Sequence, residues 1–113
     1  MDNCLFCKII RGEIPSTKVY EDENVFAFRD INPQAPVHVL VVPKKHYKNV
    51  SECASADPAL AGEILKKCAQ IAQGEGLLGG FRLITNNGPD ACQSVEHMHV
   101  HILGGAKLTD KMG

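Results

Sequence analysis

The sequence has no hydrophobic run long enough to cross a membrane, because no segment approaches the ~20 apolar residues that a membrane-spanning helix needs. The beginning of the chain also lacks the basic start and the uninterrupted apolar stretch of a signal peptide, since Asp2, Lys8 and Arg11 fall within it. We therefore expect a cytoplasmic protein with no membrane partner.

An excess of charge of one sign is missing as well. Lysine and arginine together number 12, aspartate and glutamate 13, and the net charge is -1. No global basic field is available to attract nucleic acid, so we expect no nucleic-acid partner. An anionic small molecule would have to be held by hydrogen-bond donors at one place in the structure.

A disulfide framework is also absent. Five cysteines are an odd number, and a reducing compartment keeps thiols free. Cys53, Cys68 and Cys92 are isolated and are predicted to pack as small apolar side chains. Cys4 and Cys7 form a CxxC pair, for which the sequence leaves three interpretations open: a redox pair, a metal site or simple packing.

What the chain does have is the composition of a soluble globular protein, and its length fits a single domain over residues 1–113. The order of the predicted elements indicates an α+β fold with a mainly antiparallel sheet. The elements are a short helix over 4–11, a hairpin of strands 18–21 and 25–31, a buried strand 38–42, one long helix that begins at 57–58 and is stopped by Gly74 and Gly76, and strands over 81–85 and 96–105.

Residues 96–105, called here the histidine stretch, carry the strongest functional signal. Three of the five histidines fall here, and His97, His99 and His101 alternate with apolar residues. In a β-strand such side chains leave the same face, about 6.6 Å apart along the strand. Three imidazoles on one face need water, a ligand or a metal. The competing interpretation is a solvated edge strand that happens to be rich in histidine.

An imidazole becomes a nucleophile when one ring nitrogen is held as N–H and the other keeps its lone pair. The middle histidine, His99, suits this role because the strand fixes its direction. A phosphorus centre is a suitable target, since it needs donors around its oxygens and an attacker in line. The turn over 86–92 and the hydroxyl of Ser94 supply donors beside the strand.

The motif His97-Met98-His99-Val100-His101, followed by an apolar pair, resembles the defining motif of the histidine-triad (HIT) family. The ending Ile102-Leu103-Gly104-Gly105 resembles its histidine-triad nucleotide-binding (Hint) branch. Further matching segments cover nearly the whole chain apart from the long helix, at residues 6–10, 14–15, 20–22, 30–36, 38, 43–46 and 93–95. The resemblance implies a five-stranded HIT-like fold with one long and one short helix, and a homodimer whose sheets join into one of ten strands.

The resemblance also implies roles for individual residues. His99 matches the nucleophile that forms a nucleotidyl-histidine intermediate, and His101 and His38 match the partners that complete the phosphate site. Ser94 matches a hydroxyl that contacts the phosphate or the leaving group. These four are the predicted catalytic residues.

For the nucleotide itself, the resemblance implies that Asp30 takes both ribose hydroxyls, a role that two acceptor oxygens on one group can fill. Asn86 and Gln93 are predicted polar residues of the same site. The predicted apolar walls of the nucleobase slot are Phe6, Ile9, Phe28, Ile31 and Leu40. Phe6, Ile9 and Leu40 could instead be simple core, and Asp30 could be a turn cap before Asn32.

The activity that the resemblance implies is hydrolysis of the P–N bond of purine nucleoside phosphoramidates, with no metal needed for catalysis. The sequence fits this, because neither a carboxylate pair nor a Walker-type loop lies near the motif. Two alternatives stay open: a dinucleoside polyphosphate hydrolase with the same nucleophile, and a non-catalytic nucleotide- or zinc-binding regulatory protein. The intact His99 argues against the non-catalytic protein, and Gly104-Gly105 argues for the phosphoramidase branch.

A structural zinc ion is predicted from Cys4, Cys7, His46 and His97, since two thiolates and two imidazoles suit tetrahedral zinc. The spacing is weak evidence alone, and the resemblance to bacterial-type members with this CxxC supports it. The alternative is a reduced CxxC with His97 merely hydrogen-bonded. Two features depart from the branch: the tail after Gly105 lacks tryptophan, which leaves leaving-group preference open, and Cys92 stands where glycine is usual, which predicts a slightly different loop path.

Overall fold

The computed structural model describes residues 3–112 and shows a five-stranded antiparallel sheet with helices on both faces. The strand order is β1-β2-β3-β5-β4, so the predicted α+β fold is confirmed. Among the described residues, no helix combines the length and the apolarity that a bilayer crossing requires. The elements are α1 (Leu5–Ile10), β1 (Lys18–Glu21), β2 (Val25–Arg29), β3 (Val37–Pro43), α2 (Val50–Ala56), α3 (Pro58–Gly74), β4 (Arg82–Ile84), a short 3-10 turn (Pro89–Ala91) and β5 (Val100–Gly104).

The sheet separates two apolar layers, because successive residues of a strand point to opposite faces. On the central strand β3, Val39 and Val41 pack with α2 and α3, whereas Leu40 and Val42 pack with α1. His38 has the same parity as Leu40 and therefore lies on the α1 face. The layer against α1 is small, and it consists of Phe6, Ile9, Phe26, Phe28, Leu40 and Val42.

The long helix begins and ends where the sequence predicts. The Asp57 side chain accepts a hydrogen bond from the backbone N–H of Leu60 at 3.1 Å, and Pro58 occupies the first helical turn. The helix ends at Gly74, and Gly76 follows with φ +79°, a conformation that glycine adopts without strain. Its apolar side, which includes Ile64 and Cys68, is fully buried against the sheet.

The prediction of one long and one short helix is wrong, because a further helix, α2, precedes α3. Asn49 caps α2 by accepting the backbone N–H of Glu52 at 2.9 Å, and the Glu52 carboxylate accepts the N–H of Lys48 at 2.7 Å. This reciprocal pair is a capping arrangement, and its signature, a capping residue followed three positions later by glutamate, is present in the sequence. Only Cys53 of this helix is buried, so the helix has no apolar stripe from which the sequence could predict it.

Three strands are shorter than predicted, and one of them is β4, which spans Arg82–Ile84 rather than 81–85. Strand β2 ends at Arg29, because the next residue turns the chain: Asp30 Oδ1 accepts the N–H of Asn32 at 2.8 Å. Strand β5 begins only at Val100, so His97 and His99 precede it. The antiparallel register would place Pro43 opposite Met98, and proline has no N–H to continue the ladder.

Candidate functional site

The three histidine rings of the histidine stretch lie on the α1 face of the sheet, as the alternation predicts. The ring centroids of His99 and His101 are 5.1 Å apart, and Phe6 packs edge-on against His99 at 5.0 Å. His97 is 0% exposed and His99 is 3% exposed, so two of the rings are buried. The interpretation as a solvated edge strand is wrong, because β5 lies between β3 and β4.

A backbone carbonyl determines the protonation pattern of His99. Its Nδ1 lies 2.7 Å from the carbonyl oxygen of His97, and a carbonyl only accepts, so Nδ1 carries the proton and Nε2 keeps a lone pair. Within residues 3–112 nothing hydrogen-bonds to Nε2, and no buried side-chain nitrogen or oxygen in that range lacks a partner. The lone pair of Nε2 is therefore open to solvent, on a ring that is otherwise buried.

The backbone of His99 is held from the neighbouring edge strand. The hydroxyl of Thr85, just beyond β4, donates to the carbonyl oxygen of His99 at 2.8 Å. Burial lowers the pKa of the His99 imidazole below its ordinary value, which favours the neutral ring. Both effects keep a neutral imidazole in one orientation, which is the state that a nucleophile requires.

His38 and His101 form a second pair beside His99. His38 Nε2 lies 2.9 Å from His101 Nδ1, and His38 Nδ1 accepts the backbone N–H of Gln34 at 3.0 Å. Asp30 Oδ2 lies 3.5 Å from His38 Nε2, so Asp30 both caps its turn and approaches the histidines. Burial lowers the pKa of His101 to about 4, and burial also lowers the pKa of His38, partly opposed by Asp30.

A cavity of about 930 Å³ opens in front of this pair. His38, His101 and the predicted phosphate residue Asn86 line it, together with Cys92 and the chain after Gly105. Arg82 holds that tail by donating to the carbonyl oxygens of Thr109 and Lys111, at 2.6 Å and 3.3 Å. The volume is that of a small-molecule site.

The loop between β4 and β5 is pinned to the rest of the protein by Gln93. Its amide nitrogen donates to the carbonyl oxygens of Lys48 and Val95 at 2.7 and 2.9 Å, and its amide oxygen accepts from Gly88 at 2.8 Å. The amide is thus fully used within the protein, and direct nucleotide contact by Gln93 stays a prediction. Cys92 adopts φ 60°, the left-handed conformation in which glycine is strain-free.

The remaining predicted residues are placed in different surroundings. Ser94 is exposed and lines a separate small cavity beside Cys4 and His46, and its contact with substrate stays a prediction. Ile31 is 98% exposed. If it forms a wall of the nucleobase slot, the base would be the group that covers it. The other four predicted wall residues are buried in the layer against α1: Phe6, Ile9, Phe28 and Leu40. The core interpretation expects this burial for Phe6, Ile9 and Leu40.

Cys4, Cys7, His46 and His97 come together from three separate parts of the chain. Cys7 Sγ lies 3.4 Å from His46 Nδ1 and 3.6 Å from His97 Nδ1, and Cys4 Sγ lies 3.4 Å from His97 Nδ1. The two Nδ1 atoms are 3.1 Å apart, and all four ligand atoms lie within 4.8 Å of one another.

These separations fit a tetrahedral zinc ion. With Zn–S near 2.3 Å and Zn–N near 2.0–2.1 Å, tetrahedral geometry separates sulfur and nitrogen ligands by about 3.5 Å and two nitrogens by about 3.3 Å. His97 Nε2 lies 2.8 Å from the carbonyl oxygen of Pro43 and must donate to it, so Nδ1 offers a lone pair to the cluster. Cys4 Sγ also accepts the backbone N–H of Cys7 at 3.4 Å.

Sequence reasoning missed the groups that orient these side chains. Thr85 stands at the end of a predicted strand, and its hydroxyl gave no signal that it would reach the backbone of His99. The carbonyl oxygen of Pro43 and the N–H of Gln34 belong to the main chain, where every residue has such a group. Only their position in space distinguishes them.

A family model for the HIT domain matches residues 11–108. The chain is 48% identical over 106 residues to a Zea mays protein named "14 kDa zinc-binding protein", covering 92% of this chain and 83% of that one. It is 46% identical over 106 residues to a protein of Arabidopsis thaliana named "Adenylylsulfatase HINT1", covering 92% of this chain and 72% of that one.

A solved structure described as a HIT family hydrolase from Clostridium thermocellum superimposes with a TM-score of 0.94. The two sequences are 48% identical, and the match covers 99% of this chain and 98% of that one. The family model, the relatives and the shared fold agree with the histidine pattern of the site. The chain therefore belongs to the HIT family.

Proposed function

We propose that the protein is a nucleotide-binding hydrolase that cleaves the P–N bond of purine nucleoside phosphoramidates through a nucleotidyl-histidine intermediate. The observation that carries the proposal is the 2.7 Å contact between His99 Nδ1 and the carbonyl oxygen of His97. It leaves an accessible lone pair on a buried, neutral ring, which is an activated nitrogen nucleophile. The solved HIT structure described as a hydrolase supports the reaction class.

In the first step the Nε2 lone pair of His99 forms a bond to the α-phosphorus while the bond from phosphorus to the amine breaks. The amine leaves after taking one proton from a donor in the site. Water then attacks the phosphorus, the P–Nε2 bond breaks, and the nucleoside monophosphate is released. The proton that water loses restores the donor, and His99 returns to its neutral form, so neither step requires a metal.

The neighbouring residues bind and orient the nucleotide. His38 and His101 complete the phosphate site, with Asn86 on the wall of the same cavity. Asp30 takes the ribose hydroxyls, using the oxygen that faces His38 rather than the one that caps its turn. Ser94 contacts the phosphate or the leaving group. The exposed Ile31 covers one side of the purine base.

A second candidate differs only in the leaving group. The Arabidopsis relative is named an adenylylsulfatase, which favours attack by the same nucleophile on an adenylyl sulfate. A dinucleoside polyphosphate would place a nucleotide in the leaving position instead. Arg82 and the tail that it holds form the outer wall of the cavity, where the leaving group would lie.

The Cys4, Cys7, His46 and His97 cluster binds a structural zinc ion in this proposal. Its support is the tetrahedral spacing of the four ligand atoms and the zinc-binding name of the maize relative. Because Cys4 and Cys7 belong to α1 and its cap while His97 precedes β5, the ion would fasten α1 onto the sheet.

A substrate panel tests the function. We expect wild-type protein to hydrolyse adenosine and guanosine phosphoramidates, and His99→Ala to be slower by at least ~100-fold, because the attacking nitrogen is gone. Adenylyl sulfate and a diadenosine polyphosphate in the same panel identify the preferred leaving group. Binding of nucleoside monophosphate and the circular dichroism spectrum serve as controls for folding of the variant. Equal turnover by His99→Ala would show that another group performs the chemistry.

A further inference from the structure

A continuous line of hydrogen bonds runs from the main chain to the cavity. The backbone N–H of Gln34 donates to His38 Nδ1 at 3.0 Å, and His38 Nε2 lies 2.9 Å from His101 Nδ1. His101 in turn lines the cavity. Every ring nitrogen in this line except His101 Nε2 has a defined neighbour. The positions of the protons therefore follow from the Gln34 N–H, with which the line begins.

We infer that the backbone N–H of Gln34 sets the tautomers of both His38 and His101, and thereby makes His101 a hydrogen-bond donor to the ligand. A backbone N–H can only donate, so His38 Nδ1 must accept, and a neutral His38 then carries its proton on Nε2. That proton points to His101 Nδ1, which accepts it. A neutral His101 is left with its proton on Nε2.

The opposite direction of donation is unfavourable at two points. If His101 Nδ1 donated to His38 Nε2, a neutral His38 would carry its proton on Nδ1, and that hydrogen would meet the N–H of Gln34 across only 3.0 Å. The Asp30 carboxylate, whose Oδ2 lies 3.5 Å from His38 Nε2, is also an acceptor and favours a proton there. The Gln34 N–H and the Asp30 carboxylate therefore both favour the Nε2–H tautomer of His38.

The surroundings of His38 and His101 also indicate that both rings are neutral and that His101 Nε2–H is available to donate. Burial lowers the pKa of both imidazoles, with His101 at about 4, so neither ring needs a second proton at neutral pH. Across residues 3–112 no group hydrogen-bonds to His101 Nε2, and no buried side-chain nitrogen or oxygen there is left without a partner. His101 Nε2–H is therefore accessible from the cavity side.

The consequence deepens the proposed function and rests on it. His99 presents a lone pair and His101, 5.1 Å away between ring centroids, presents an N–H. A phosphoryl group needs this combination, since its phosphorus accepts electrons and its oxygens accept hydrogen bonds. The main chain at residue 34 acts as a positioning group, because it reaches His101 only through His38.

A second consequence concerns metal binding. Asp30, His38 and His101 have ligand atoms within 4.8 Å of one another, which resembles a three-ligand metal site. His38 Nε2 carries a proton in this tautomer and has no lone pair to offer. The Gln34 N–H therefore removes one of the three possible ligand atoms from this group.

The test is the tautomeric state of each ring, read from long-range ¹H–¹⁵N correlation spectra of the intact protein with ¹⁵N-labelled histidine. The signals of each ring are assigned by comparison with the His38→Asn and His101→Asn variants, whose spectra lack them. We expect both rings as Nε2–H tautomers in the absence of nucleotide. A spectrum with His38 as the Nδ1–H tautomer overturns the inference.

Two changes at residue 34 separate the backbone from the side chain. An ester in place of the Pro33–Gln34 peptide bond replaces the N–H by an oxygen that cannot donate, and we expect His38 to become a mixture of tautomers. Gln34→Ala keeps the N–H but removes the side chain, whose amide donates to the Asn32 carbonyl oxygen at 3.0 Å, and it should keep the wild-type tautomers. An unchanged tautomer in the ester protein contradicts the inference.

These spectra need no substrate, so they are independent of the proposed reaction. Wild-type protein with the expected tautomers but no hydrolysis of any panel substrate would refute the proposed function and leave the tautomer assignment intact. Protein that hydrolyses a panel substrate but has His38 as the Nδ1–H tautomer would refute the tautomer assignment and leave the proposed function intact.

Discussion

Main-chain groups determine the chemistry of individual histidines in this protein. The carbonyl oxygens of Pro43 and His97 each require a ring nitrogen to donate, and the N–H of Gln34 requires one to accept. Because a backbone group cannot change its role, the second nitrogen of each ring is left with one defined function. Displacing the backbone at these points should therefore affect the site more than changing the side chains there.

A substitution at Gly105 should disturb the backbone near the histidines at a single residue. Gly105 has φ +91°, and a Cβ there would lie 2.9 Å from Pro36 Cβ, in the loop that carries Gln34. We expect Gly105→Ala to lower the free energy of unfolding through both the positive φ and the collision, by about 1–2 kcal/mol for the first and at least ~1 kcal/mol more for the second. Urea denaturation measures the loss.

Gly12→Ala is the matched control for Gly105→Ala. Gly12 has φ +79° with nothing within 4 Å of the added Cβ, so it should show the conformational cost of about 1–2 kcal/mol alone. Equal losses in the two variants would mean that the loop at Pro36 moves aside without cost.

At the scale of an element, α1 is a helix of 6 residues, too short to be stable without tertiary contacts. Its buried residues Phe6 and Ile9 reach the small apolar layer, and its two thiols reach His46 and His97. Burial raises the pKa of Cys7 to about 11, so that thiol is protonated at neutral pH unless a cation takes the place of the proton. The attachment of α1 is therefore expected to depend on zinc.

Replacing the thiol of Cys4 should weaken zinc binding. We expect Cys4→Ser to bind zinc at least ~10-fold more weakly than wild type, because an alcohol is a poor substitute for thiolate. Elemental analysis after purification without added zinc measures the metal, and limited proteolysis after Arg11 reports release of α1. Cys92→Ser, which changes an exposed thiol outside the cluster, should keep the full metal content. A zinc-free wild-type protein would contradict the prediction.

At the scale of the whole molecule, the lowered pKa of His101 predicts a dependence of stability on pH. His101 has an ordinary pKa of 6.5 when unfolded and about 4 when folded, because burial disfavours its charged form. The unfolded chain therefore binds the proton first as pH falls. We expect the free energy of unfolding to be highest above pH 6.5 and to decline progressively between about pH 6.5 and 4.

Urea titrations at fixed ionic strength across that range measure this decline. The His101→Gln variant has no titrating ring at this position, so its stability should decline less steeply over the same pH range. The difference between the two proteins isolates His101 from any effect of metal loss, which both would share. Identical slopes would rule out the contribution assigned to His101.

The exposed apolar surface predicts a homodimer. Leu65 of α3 is 57% exposed, and Leu78, Phe81 and Leu83 expose 83%, 41% and 36% around the edge strand β4. Pairing of α3 and of β4 with a second copy would cover this surface and join the two sheets. Light scattering should give twice the 12.3 kDa of one chain.

A charge on this surface should weaken the association. We expect Leu65→Glu to shift the protein toward monomer, whereas Ser55→Glu introduces the same charge at an exposed position of α2 and should not. A wild-type protein that scatters as a monomer at working concentration would refute the dimer.

Local patterns predicted most of the fold and the family. The alternation of His97, His99 and His101 predicted their common face, and the Asp57-Pro58 pair predicted the start of α3. Such features depend on periodicity and on contacts between near neighbours, which the sequence contains directly. The overlooked helix α2 belongs to the same class, since the pattern from Asn49 to Glu52 was present.

By itself, then, the sequence determined most of the elements, the family pattern and the identity of the histidines. Only the tertiary structure decided which nitrogen of each ring is free. For His97 the deciding contact comes from Pro43, 54 positions away in the chain, and for His101 it comes from His38, 63 positions away. Backbone carbonyls and N–H groups occur throughout the chain, so their effect on a ring follows from their position in space alone.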